Sequence, residues 1–197
     1  VAGEATGSGG DQTGWVNSVV DGVVRLVEAA PARLGRVRLV AVEGPSGSGK
    51  STFARRLVGR LPGAALVPTD DFATWDDPVG WWPRLVDGVL KPLSVGRAGR
   101  YRRIRWVNGV PEPGDWIDVE PVGILLVEGV SAGRRAVASR LSVLVWCDLP
   151  DPAERLRRTV ARDGAESRVE LRRWQDFEAG WYGVDRTVTR ASVRVTV

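Results

Sequence analysis

Histidine is absent from the 197 residues of this chain, and cysteine occurs once, as Cys147. The first absence removes histidine general bases, Ser-His-Asp triads and zinc sites of the usual Cys/His kind. The second removes an internal disulfide framework. Lysine is scarce too: Lys50 and Lys91 are the only two among 28 basic residues, the rest being arginine. In a chain that uses arginine wherever a cation serves, each retained lysine is informative. Long apolar runs are missing as well. Residues 122–127 reach strand length and fall far short of a membrane span. Glu4 and Asp11 precede any basic residue, and the first thirty residues hold no long apolar stretch, so no secretory signal is expected. Catalysis is left to carboxylates, lysine, arginine, hydroxyls, backbone amides or an oxygen-held metal. The expectation is a soluble, cytoplasmic protein without membrane contact.

What is present is ordinary globular composition, 43% hydrophobic and 26% charged, with a net charge of +4. Residues 1–12, rich in Gly, Ser and Thr, read as a frayed terminus. Trp15, Val16, Val19, Val20, Val23, Val24 and Val27 follow 3/4 spacing and predict an amphipathic helix from Thr13 to near Pro31. Residues 1–36 are thus expected to be a flexible N-terminus plus a helix packed on one domain, 37–197. Within that domain, strands are predicted at 37–43, 64–67, 124–127, 141–146 and 191–197. Helices are predicted to about Leu61, over 153–163, and from Glu166 to about Trp181. Continuous apolar strands alternating with helices imply an α/β parallel sheet covered on both faces. Residues 72–121 break the rhythm and hold five of nine tryptophans. There, Asn108-Gly109 between alternating segments predicts a hairpin, with Pro111 and Pro113 confining the return strand to an edge.

Between the first strand and its helix runs Gly44-Pro-Ser46-Gly47-Ser48-Gly49-Lys50-Ser51, which fits G-x-x-x-x-G-K-[ST] in the strand-turn-helix context that gives the motif meaning. Glycines let the backbone approach phosphate, and the loop and helix N–H groups converge on it. Lys50 supplies a compact ammonium, and Ser51 a hydroxyl for Mg²⁺. Gly44, Ser46, Gly47, Ser48, Gly49, Lys50, Ser51 and Thr52 are therefore expected to hold ATP.

Phosphoryl transfer also needs a carboxylate for the attacking oxygen and charge stabilisation for the transferring group. Asp70-Asp71 follows the second strand, placed beside the phosphate loop; Asp70 is expected to be the base and Asp71 an auxiliary on the acceptor side. Glu128, ending the apolar run 124–127, is expected to share the metal with Ser51. Arg155, Arg158 and Arg162 lie at 3/4 spacing on one helix face. Arg155 is assigned to the nucleotide, Arg158 and Arg162 to the transferring group. Between 155 and 173 there are seven arginines against Asp163, Glu166 and Glu170.

With Gly44–Ser51, Asp70-Asp71-Phe72, Val127-Glu128-Gly129 and the helix ending Arg162-Asp163, the chain from Val37 to Val197 resembles the uridine kinase-like P-loop kinases. The resemblance implies a three-layer sandwich: a five-stranded parallel sheet with helices on both faces, a hairpin excursion over 72–121 that binds the acceptor, and an arginine lid at about 151–175. It implies that Asp70 activates an acceptor hydroxyl and that Trp75-Asp76, with Tyr101, Arg105 and Trp106 of the hairpin, contacts a nucleoside-like acceptor. The chain departs from the family at Ala73, where a tyrosine is frequent, in having no histidine against the base, and at Arg105-Trp106, where related hairpins read Tyr-Asp.

The leading expectation is ATP- and Mg²⁺-dependent phosphorylation of a small hydroxyl compound. A nucleoside monophosphate kinase, or another small-metabolite kinase, stays open because Arg100, Arg102, Arg103 and Arg105 could bind an acceptor phosphate. An ATP-binding regulatory module without turnover is the non-enzyme alternative, against which the intact Asp70 and Glu128 argue. Nucleic acid is not expected as a partner: no helix-turn-helix or aromatic RNA platform signature is present.

Overall fold

The computed structural model describes residues 10–196. In chain order it contains α1 (Gly10–Ala29), β1 (Arg38–Glu43), α2 (Lys50–Gly59), β2 (Ala65–Pro68), a 3-10 turn (Thr69–Asp71), α3 (Trp82–Leu85), a π-turn (Val86–Leu90) and α4 (Lys91–Ser94). There follow β3 (Gly99–Val107), β4 (Val110–Val119), β5 (Ile124–Glu128), β6 (Leu141–Asp148), α5 (Pro152–Asp163), α6 (Arg168–Asp185) and β7 (Val193–Thr196). Five of the strands form a parallel sheet in the order β2-β5-β1-β6-β7. β3 and β4 form a separate antiparallel hairpin.

Strand pleating sends successive side chains to opposite faces, and β1 shows the division residue by residue. Leu39 and Ala41 enter a core shared with Phe72, Trp81, Leu85, Val89, Leu90 and Tyr101. Val40 and Val42 enter a second core, with Phe53 and Leu57 of α2 and Val20, Val23 and Val27 of α1. Both faces of the sheet are covered, so its central strands are apolar throughout, as the continuous runs in the sequence imply.

The hairpin turns at Asn108-Gly109, with φ of 50° and 76°, the left-handed pair that a tight two-residue connection requires. α1 begins at Gly10 rather than Thr13, and the rest of the segment expected to fray, residues 1–9, lies outside the described residues. α6 starts at Arg168 and runs past Trp181 to Asp185, because a 3-10 turn (Ala165–Ser167) takes the stretch expected to open it. No described helix is long and apolar enough to cross a membrane.

Candidate active site

The phosphate loop joins the carboxyl end of central β1 to α2. Close packing explains its glycines. A Cβ on Gly44 would overlap the Cys147 carbonyl of β6, and one on Gly47 (φ 80°) would lie 2.5 Å from the Arg155 carbonyl of α5. α2 starts from Gly49 in a left-handed conformation with no capping side chain, so its first N–H groups have no side-chain partner. Ser48 is buried, and its Oγ has no hydrogen-bond partner among the described residues. An open helix terminus and an orphaned buried hydroxyl in a Gly-rich turn fit an anionic phosphate group. Thr52 lies exposed on the first turn of α2.

Glu128 closes β5, the strand beside β1. Its Oε1 accepts the Ser51 hydroxyl at 3.0 Å, and Lys50 is buried nearby. Burial raises the Glu128 carboxyl above the ordinary range; the Lys50 charge and the Ser51 bond lower it, and Asp70 adds to the rise. A hydroxyl and a carboxylate side by side form the oxygen donor set that suits Mg²⁺. Gly129 follows with φ 133°, and a Cβ there would overlap the side chain of Thr69, which opens the turn that carries Asp70.

One expectation about the aspartates needs correction. β5 separates β2 from β1, so Asp70 reaches the cleft from the sheet edge and not from the strand beside the loop. Asp70 and Asp71 sit in a 3-10 turn. Asp70 is exposed and lines a cavity of about 420 Å³ together with Ser46, Lys50, Ala73, Val130, Arg162, Asp163 and Leu171. Asp71 is half-buried and accepts the Tyr101 hydroxyl at 2.6 Å.

The same cavity has an aromatic wall: Trp75, Trp106 and Trp174 line it, with Gly109. Trp75 meets Trp106 and Trp174 edge-on, at ring separations of 4.9 and 5.9 Å, and donates its Nε1–H to the Gly109 carbonyl at 2.9 Å. Tyr101 is not on this wall. It is buried against Phe72 at 4.6 Å, and its hydroxyl is committed to Asp71. Asp76 is exposed and is not part of the cavity lining. The hairpin arginines face partners on β4: Arg100 pairs with Asp118, Arg103 with Asp115 and Arg105 with Glu112, while Arg102 donates to the Gly114 carbonyl. Arg105 is not part of the cavity lining.

The arginine row divides in the same manner. Arg162 lines the cavity beside Asp163, its ion-pair partner at 2.6 Å. Arg158 is exposed and bound to Glu154, whose carboxyl Arg157 and Arg158 hold down at about 2. Arg155 folds its guanidinium onto the Leu149 and Pro150 carbonyls, at 2.6 and 3.0 Å. Two residues outside the expected set also stand here. Trp174 completes the aromatic wall, and Glu178, 1% exposed, accepts the Ser46 N–H of the phosphate loop at 3.0 Å. Trp174 had one visible signal, an indole inside the charged run Arg172-Arg173-Trp174-Gln175-Asp176. Glu178 had none.

No protein-family model and no curated protein matches the chain. Among solved structures, one described as a possible uridine kinase from Bacillus stearothermophilus superposes with a TM-score of 0.66 at 14% identity, over 91% of this chain and 98% of the other. A second, described as a putative fructose transport system kinase from Silicibacter sp. TM1040, gives a TM-score of 0.53 at 19% identity over the same shares. The five-stranded parallel sheet, its order and the loop between β1 and α2 are those of the P-loop kinase fold, and this chain has that fold.

Proposed function

We propose that this chain is an ATP- and Mg²⁺-dependent kinase that transfers the γ-phosphate to a hydroxyl of a small, uncharged acceptor of nucleoside type. One observation carries the reading. Lys50 and Ser46 of the phosphate loop, Asp70, Arg162 and three tryptophans, Trp75, Trp106 and Trp174, line a single cavity. Bound Mg-ATP would supply the phosphoryl group, held by the loop N–H groups, Lys50 and, through the metal, Ser51 and Glu128. Asp70 would accept the proton of the acceptor hydroxyl. Arg162 would lie over the charge that spreads onto the transferring oxygens. In this scheme residues 72–121 serve the acceptor and 151–175 act as the lid.

The indoles suit an acceptor with an apolar or π face, since stacking on aromatic rings is worth about 1–3 kcal/mol per base. The absence of Arg100, Arg102, Arg103 and Arg105 from the cavity lining supports an uncharged acceptor over a nucleoside monophosphate. The test is acceptor-dependent ADP release across nucleosides, nucleoside monophosphates, sugars and pantothenate-like alcohols. Release stimulated by a neutral member supports the reading; release stimulated by monophosphates alone overturns the acceptor class.

A further inference from the structure

Helix α6 lays three side chains, one turn apart, along the phosphate loop and the cavity: Trp174, Glu178 and Tyr182. Tyr182 donates its hydroxyl to the Gly44 carbonyl at 2.9 Å. Glu178 accepts the Ser46 N–H at 3.0 Å, the Ser46 hydroxyl, and the Trp174 Nε1–H at 2.6 Å. Among the described residues no arginine or lysine lies within ion-pair distance of it. A carboxylate so deeply buried is tolerated only because its oxygens are hydrogen-bonded, and charge-assisted bonds are the stronger kind. The Ser46 hydroxyl donates to the same carboxylate oxygen that accepts the Trp174 N–H. Trp174 in turn stands edge-on against Trp75 in the acceptor wall. One buried carboxylate therefore joins two parts of the cavity that are 128 positions apart in the chain.

We propose that Glu178 is a positioning residue. It holds Ser46 of the phosphate loop and Trp174 of the acceptor wall as one unit, so that occupancy of the loop and the shape of the wall are energetically coupled. The proposal rests on the kinase reading of the cavity. Its basis is that Ser46 and Trp174 both line the cavity and both donate to the same carboxylate, Glu178. Sites without shared partners behave additively, whereas members of one hydrogen-bond network do not.

Calorimetric titration with the non-hydrolysable ATP analogue AMP-PNP tests this through a cycle of Ser46→Ala, Trp174→Phe and the double variant. Trp174→Phe keeps an aromatic ring against Trp75 and removes only the N–H donor and part of the ring area. The double variant should lose less affinity than the product of the two single losses, by a factor of about three or more. Repeated in a Glu178→Leu background, which removes the shared acceptor of both side chains, the two losses should multiply. A purely structural role for Glu178 would lower melting temperatures and leave the losses multiplicative in the native background. That result overturns the proposal even if Glu178→Leu does not fold. Native protein that does not bind AMP-PNP would overturn the kinase reading and this proposal together. Binding with multiplicative losses overturns this proposal alone.

Discussion

Glu43 ends β1 at the point where the phosphate loop begins, and it is fully buried. Its carboxyl accepts the Ser131 and Gly133 N–H groups at 2.8 and 2.5 Å, which ties the loop after β5 to the loop after β1. Burial pushes its pKa up to about 7 from 4.5, against the lowering pull of those two N–H groups. Between these values the folded protein keeps a proton that the unfolded chain releases, so stability falls as pH rises through this window. A shift from 4.5 to about 7 corresponds to about 3 kcal/mol, fully present below the unfolded pKa and lost above the folded one. Glu43→Gln replaces the titrating group by a neutral amide of the same shape and removes this slope. Urea unfolding followed by circular dichroism, near pH 5 and near pH 8, gives the comparison. The native chain should lose roughly 2–3 kcal/mol relative to Glu43→Gln over that span. Parallel stability profiles for the two proteins would refute the burial argument for this carboxylate.

The remaining predictions concern the cavity. Asp70→Asn should lower the maximal rate about 10²–10⁴-fold while leaving ATP affinity unchanged, because proton removal is lost and the phosphate loop is not. Asp71→Asn should be milder, since an amide oxygen can still accept the Tyr101 hydroxyl; steady-state kinetics beside separate ATP titrations decide both. Arg162→Ala should depress the maximal rate more than Arg158→Ala, because only Arg162 lines the cavity in this arrangement. Equal losses would mean that Arg158 leaves Glu154 during turnover. Trp106→Ala should raise the acceptor KM by about tenfold with little change in the maximal rate, as expected for a wall that binds acceptor and transition state alike. An unchanged KM would remove Trp106 from the acceptor site.

The sheet was legible because its evidence is local. Continuous apolar runs, the Gly44–Ser51 signature and the Asn108-Gly109 turn each declare themselves within ten residues. The site was legible only where a motif fixes a residue's direction, as at Lys50, Ser51 and Glu128. Spacing alone put Arg155, Arg158 and Arg162 on one face but could not say which of them a neighbouring acid or carbonyl would claim. Tyr101 was expected to contact the acceptor and is instead core, because Phe72 and Asp71 together give its ring and its hydroxyl a buried berth. The pairing of the hairpin arginines follows from register. Arg100 faces Asp118 and Arg105 faces Glu112, a match that appears only once the strands are aligned across their turn. Glu178 was invisible for a related reason: its partner Ser46 lies 132 residues away, and nothing in the helix around it marks a carboxylate that turns inward.

The central claim is that the cavity moves the terminal phosphate of ATP onto a neutral hydroxyl. Mass spectrometry of the acceptor after incubation with ATP labelled at the γ-phosphate with oxygen-18 measures that transfer directly, with Lys50→Ala run beside the native chain. The account predicts a labelled monophosphate of an uncharged acceptor with the native protein and none with Lys50→Ala. Labelled inorganic phosphate with every acceptor unmodified, or equal transfer by Lys50→Ala, would contradict it.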